Sequence, residues 1–371
     1  MGKEKVNMCV FILLSLFILL NSTIIALDMI VGGEGSRFVI EPIRFIKNPL
    51  VRMLITSRGY EFIERDPTDN PYKNNTITFK SESGEKLFSF NTLFPIRFME
   101  TCNGKVYTLE EELYPNHAMI VAQLEGDLAK GEKKKYYSNY VEWTRYYIRE
   151  YDVETFEGKT LYELPKIQGL PESGDFPIGF SSSNDSIYLF YQDFLDNSYT
   201  YYNLRIDQYS LGANSSEKQI YIPNFGYEFK PRQFFIKDNN LFIIRTLKEY
   251  DFTKEPGIYD LVKIDLETRN SEVIFSGENL LNCAIDESRG FLFYINHIMP
   301  IGGPEKYYLN RLPLSNLNGQ PETEIFPFHF PLGFIWDNNQ KIYFTYLLEN
   351  EPLNENFYEG GLIAIKLMNI Q

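Results

Sequence analysis

The 371-residue chain is 44% hydrophobic and 16% aromatic, with a formal net charge of −14. That charge argues against nucleic acid and anionic membrane surfaces as partners, because both select basic patches. So many aromatics suit strands better than helices, and the length suits one large repeat fold.

The N-terminus reads MGKEKVNMCVFILLSLFILLNSTIIALD. Lys3 and Lys5 precede an apolar run from Val10 to Leu20, and a short polar step leads to Ala26. This is the layout of a secretory signal, with an apolar core too short to span a bilayer. Residues 1–26 are therefore read as a signal peptide and residues 27–371 as one exported domain, secreted or held in the lumen of the endomembrane system. No stable membrane insertion is expected once the signal is removed.

Beyond that segment, polar turns lead repeatedly into a bulky apolar residue and an aromatic. The series is NGKVY ending at Tyr107, NDSIY at Tyr188, DNNLF at Phe242, SRGFLF at Phe293 and NNQKIY at Tyr343. A weaker first member falls near Leu54, in PLVRML. The last four anchors are spaced 54, 51 and 50 residues apart, whereas 81 residues separate Tyr107 from Tyr188. That longer interval calls for an insertion, placed at about 112–143.

Each anchor is followed by a second alternating run, as in YYIREYDVET, YNLRIDQYSL, YDLVKIDLET and YYLNRLPLSN, in which an aspartate recurs. A third run then follows: KTLYELP, KQIYIP, SEVIFSG and TEIFPF. A fourth precedes each anchor, and in two units it carries almost the same words, FPIGF at 176–180 and FPLGF at 330–334. Period-two alternation in short runs separated by Asn, Gly, Asp and Ser predicts strands in meander order. We name them inner, anchor, aspartate and outer strands.

Four antiparallel strands recurring about every 50 residues predict an all-β fold, a β-propeller of six blades. Gly179 and Gly333 mark either crowding round a central channel or a bulge. The chain ends at GLIAIKLMNIQ, the aspartate position of unit six. The spare segment Ser36–Phe45 is expected to supply the missing outer strand and close the ring.

The anchor strands resemble a degraded form of the six-bladed repeat of low-density-lipoprotein-receptor type, which carries Tyr-Trp-Thr-Asp there. The nearest version is Tyr343-Phe344-Thr345-Tyr346, with tyrosine in place of the family's aspartate. The resemblance implies the architecture and transfers no functional residue.

The chain carries no Cys-x-x-Cys pair, no zinc-type histidine spacing and no Gly-x-Ser-x-Gly elbow, so neither cofactor nor metal is expected. Cys102 and Cys283 fall on inner strands of opposite blades, too far apart for a disulfide, and both are expected to be reduced and buried. Glycosylation signals occur at Asn74, Asn184 and Asn214. In this register all three lie on the short-turn face or on its edge.

The opposite face carries long connections, read at 191–203, 245–260, 296–308 and 347–361. Long loops on a rigid scaffold are where binding residues concentrate. The candidate binding residues there are Asp193, Asp196, Tyr199, Tyr201, Glu249, Tyr250, Asp251, His297, Glu355, Tyr358 and Glu359. Tyrosines beside carboxylates suit a protein or carbohydrate ligand held without catalysis. The alternative is a glycoside hydrolase or lyase using carboxylates at the channel mouth.

Overall fold

Turn-forming residues cut this chain into short extended pieces, and each piece finds its partner next to it in sequence. The computed structural model describes residues 38–46, 51–56, 59–65, 75–113, 144–164, 176–195, 201–211, 217–227, 231–248, 257–298, 306–326, 331–336, 341–347 and 360–367, less single positions within these runs, and a few residues between 122 and 131. The signal-peptide reading lies outside them.

After β1 (Phe38–Ile46), the strands form successive four-stranded sheets. The first holds β2 (Val51–Thr56), β3 (Gly59–Arg65), β4 (Thr76–Lys80) and β5 (Lys86–Asn91). The second holds β6 (Ile96–Cys102), β7 (Lys105–Leu113), β8 (Thr144–Asp152) and β9 (Gly158–Glu163). The third comprises β10 (Gly179–Ser182), β11 (Ser186–Phe194), β12 (Tyr201–Ser210) and β13 (Glu217–Tyr227). The fourth comprises β14 (Gln233–Lys237), β15 (Asn240–Lys248), β16 (Ile258–Asp265) and β17 (Ser271–Glu278). The fifth has β18 (Leu280–Asp286), β19 (Phe291–Ile298), β20 (Lys306–Pro313) and β21 (Glu322–Phe326). The sixth has β22 (Pro331–Trp336), β23 (Lys341–Leu347) and β24 (Gly360–Leu367). Its fourth place is taken by β1, which pairs antiparallel with β24 from Phe38↔Leu367 to Ile46↔Gly360. β22 also lies against β2, so the last sheet meets the first. The fold is a six-bladed propeller whose last blade is completed by the N-terminal strand.

The core is divided into layers between sheets. Tyr107 and Leu109 of the second sheet pack on Phe180, Ile187 and Leu189 of the third. Tyr188 and Phe190 pack in the same way on Leu241 and Ile243 of the fourth, and Phe242 and Ile244 on Leu292 and Tyr294 of the fifth. Alternation within each anchor strand supplies both faces. Inner strands add their own ties: the Gln233 amide caps the backbone of Cys283, with bonds of 3.0 and 2.8 Å.

Gly179 shows which of its two expected roles applies. A Cβ there would sit 2.7 Å from the Phe234 ring of the next inner strand, and that ring stacks on Phe190 at 4.6 Å. The absent side chain lets β14 approach, so crowding between inner strands is the reason for glycine.

Several expectations need correction. Leu54 lies on the inner strand β2, and the first anchor strand is β3. Its third residue, where the other anchor strands carry Tyr107, Tyr188, Phe242, Phe293 and Tyr343, is Glu61. Asp207 is not a strand-end aspartate. Asp152 and Asp265 are: each Oδ1 accepts two backbone N–H groups, from Glu154 and Thr155 and from Glu267 and Thr268. Asp207 lies three residues short of its strand end and bonds Gln219 instead. Cys102 on β6 and Cys283 on β18 form no disulfide, as expected, but Cys102 is only half-buried and its thiol donates to the Ser183 carbonyl at 3.1 Å.

Candidate functional site

Antiparallel order sends the connections to two faces. Inner-to-anchor turns take 2 to 4 residues, such as 103–104, 183–185 and 287–290. Anchor-to-aspartate connections lie on the other face and span 66–75, 114–143, 195–200, 249–257, 299–305 and 348–359. The insertion therefore joins β7 to β8, on the long-connection face. In sequence Asn74 falls within 66–75. Asn184 and Asn214 fall in short-face connections. All three asparagines lie outside the described residues.

The strands run further into the expected loops than their composition suggests. Asp193 is on β11, half-buried, and opposes Asn203 of β12. Tyr201 opens β12. His297 is not in a loop: it lies on β19, 7% exposed, with its ring 6.0 Å from that of Tyr307. Its backbone N–H donates to the carbonyl of Asn279 at 3.3 Å. Burial removes His297 from any contact surface. Asp196, Tyr199, Glu249, Tyr250, Asp251, Glu355, Tyr358 and Glu359 lie outside the described residues.

Four residues beyond each anchor aromatic lies a tier that the turn-and-aromatic motif does not mark. Glu111, Gln192 and Thr246 are each 2% exposed, and His297 completes the series in the fifth sheet. These polar residues occupy one register, at the long-connection end of four successive anchor strands. Glu111 is held by the Arg97 guanidinium, and Gln192 bonds the Tyr202 hydroxyl. Glu111 and Gln192 thus have the partners that buried polar side chains require.

Beside Glu111, on the opposite face of β7, Glu110 is fully buried. Its carboxylate accepts from the Phe94 N–H at 2.9 Å, the Thr108 hydroxyl at 2.8 Å and the Tyr151 hydroxyl at 2.5 Å. The Arg149 guanidinium stands 3.7 Å away. Burial raises its pKa, and the bonds from Tyr151, Phe94 and Thr108 pull the other way. Glu110 thus ties the crossing between the first and second sheets to β7. Asp260 is similarly engaged by Arg245 and Ser276, and Asp286 by Arg289. Among the described residues, no group of three or more His, Cys, Asp or Glu is arranged to hold a metal.

No family model matches the chain, and no curated protein does. Among solved structures it is similar to a puromycin hydrolase, with TM-score 0.46 and 9% identity over 83% of this chain and 42% of that one. A cobalt-substituted Synechocystis apocarotenoid oxygenase gives TM-score 0.46 and 10% identity over 77% and 64%. The β-propeller domain of the trilobed protease from Pyrococcus furiosus gives 0.31 and 14% over 50% and 53%. The chain thus spans less than two thirds of each of these three. At such identities the likeness concerns strand arrangement alone.

Proposed function

We propose that the protein is an exported, non-catalytic propeller that binds a protein or glycan partner through its long-connection face. The observation that carries this reading is the contrast between faces. Inner-to-anchor turns are 2 to 4 residues, whereas anchor-to-aspartate connections run from 195–200 up to 114–143. A scaffold of rigid sheets with long connections on one side is the usual arrangement for recognition. The resemblance to the low-density-lipoprotein-receptor type of repeat fits a binding role at the level of architecture. Sugars on Asn184 and Asn214 would leave this face open, while one on Asn74 would border it.

The hydrolase alternative needs two carboxylates facing a shared cavity. Glu110, Asp260 and Asp286 instead accept bonds from protein donors, so these three read as structural.

The test compares alanine at Tyr199, Tyr250 and Tyr358 with alanine at Asp185 and Glu217, on the opposite face. Binding is read on a glycan array and against displayed extracellular protein domains, with melting temperatures matched. The tyrosine set should lose at least tenfold in affinity and the second set should lose none. Equal losses from the two sets would remove the basis for choosing this face.

A further inference from the structure

Every blade of a propeller ends in an outer strand with one unpaired edge, a row of backbone N–H and C=O groups able to take up another strand. Five of the six outer strands are interrupted. Register shifts fall between Phe79 and Lys80 opposite β5, and between Ile148 and Arg149 opposite β9. Others fall between Tyr202 and Leu204 opposite β13, and between Leu261 and Val262 opposite β17. β1, which takes the outer place in the sixth sheet, shifts between Pro42 and Arg44. Bulges of this kind twist an edge away from a neighbouring chain.

β21 is the exception. Its five residues pair with β20 without a shift, from Tyr307↔Phe326 to Arg311↔Glu322. Side chains tie it to its neighbour as well. The Thr323 hydroxyl donates to Asn310 Oδ1 at 2.8 Å, and the Arg311 Nε–H donates to the Glu322 carboxylate at 2.8 Å. Arg311 is itself fixed, being 4% exposed with its guanidinium 4.6 Å from the centre of the Phe291 ring.

The two faces of this strand carry different free groups. Ile325 is 64% exposed, more than any other large hydrophobic among the described residues, and forms a cross-strand pair with half-buried Tyr308. On the other face half-buried Glu324 makes no hydrogen bond or ion pair among the described residues. Glu322, two residues before it, is neutralised by Arg311. Lys306 shares the Ile325 face with Tyr308, so it leaves Glu324 unopposed. These features select the occupant. An uninterrupted edge bonds an extended backbone, so the partner is a strand. A second copy of this chain fits poorly: paired antiparallel about the middle of β21, Glu324 would face the same residue of the copy, and like charges directly opposite are destabilising.

We propose that the β21 edge is a second binding surface, on the rim of the ring, and that it takes up an extended segment of another protein as a fifth strand of the blade. The segment carries an aliphatic residue opposite Ile325, extending its pair with Tyr308, and lysine or arginine opposite Glu324. Backbone bonds supply the affinity, and these two positions supply the selectivity. This surface is separate from the long-connection face and stands whether or not that face binds.

The experiment uses the full chain and a fluorescent ten-residue peptide of alternating valine and lysine. A valine–glutamate peptide and an alternately N-methylated valine–lysine peptide serve as comparisons. Binding is read by fluorescence anisotropy, and it should slow amide hydrogen exchange across residues 322–326. Ile325→Lys should weaken the valine–lysine peptide at least tenfold, and Ile325→Ala should weaken it less. Glu324→Lys should reverse the preference in favour of the valine–glutamate peptide, a result that damage to the fold would not produce. Val273→Lys, at a 50% exposed position on the interrupted strand β17, should stay within twofold. Thermal melts separate lost contact from lost folding, and the alanine variant keeps the test open if Ile325→Lys unfolds. Equal loss from Val273→Lys would overturn the choice of β21. Equal binding of the N-methylated peptide would overturn strand addition, and an unchanged preference in Glu324→Lys would overturn the basic position. Self-association abolished by Ile325→Lys would assign the edge to a second copy and overturn the partner. No binding of any peptide would overturn the proposal, whatever the tyrosine comparison shows for the long-connection face.

Discussion

Gly179 is a position where one added carbon meets a neighbour with nowhere to go. The Phe234 ring is held against Phe190, so the 2.7 Å approach of a new Cβ must be relieved by shifting β14. Gly179→Ala should destabilise the protein by about 1–3 kcal/mol, the usual range for overpacking. A lower urea midpoint at unchanged slope would confirm this. Asp152 and Asp265 support a different expectation. Backbone bonds, led by those from Thr155 and Thr268, hold both carboxyls below their usual 3.8. A depressed folded-state pKa gives stability that is present above the unfolded value and is lost as pH falls through the folded one. The stability of the protein should therefore decline below about pH 4 through these turns. Asn at both positions keeps an acceptor for the turn, so the double variant should match the parent at neutral pH and show a shallower acid decline in thermal melts. An acid limb of unchanged slope would count against these turns as its source.

At the scale of elements, the strand sequence of each blade was legible because an aromatic stands third in five anchor strands. The first blade was misplaced for a physical reason: Glu61 takes that position in β3, with Tyr60 and Phe62 on either side. The pattern of polar turn, apolar residue and aromatic therefore points to Leu54, one strand early. The loop bounds were drawn too wide because β11, β15 and β19 end in polar residues that resemble loop. Gln192, Thr246 and His297 are nevertheless buried there, which composition does not reveal. The tier at Glu111, Gln192, Thr246 and His297 was legible in principle, four residues beyond each anchor aromatic, but only after the strands had been aligned. The closing strand was read almost to its ends, as Ser36–Phe45 against the observed Phe38–Ile46. Deleting residues 27–46 should abolish cooperative unfolding, because β24 then presents an unpaired edge. Adding residues 36–46 as a free peptide should restore it. A truncated chain that melts like the parent would refute the closing role of β1.

For the whole molecule, the seam between β1 and β24 has a mechanical consequence. Phe38 opposes Leu367 at one end of the pair, and Ile46 opposes Gly360 at the other. Handles at positions 37 and 368 pull on the same end, so the backbone bonds between the strands break one after another and each carries the load alone. Handles at 47 and 368 load the pair from opposite ends, and its bonds must fail together. In optical tweezers the first geometry should open the seam at the lower force, as an early step separate from rupture of the other sheets. A tether at the chain's two ends would unzip the ring, while tension applied along the strands would leave it shut.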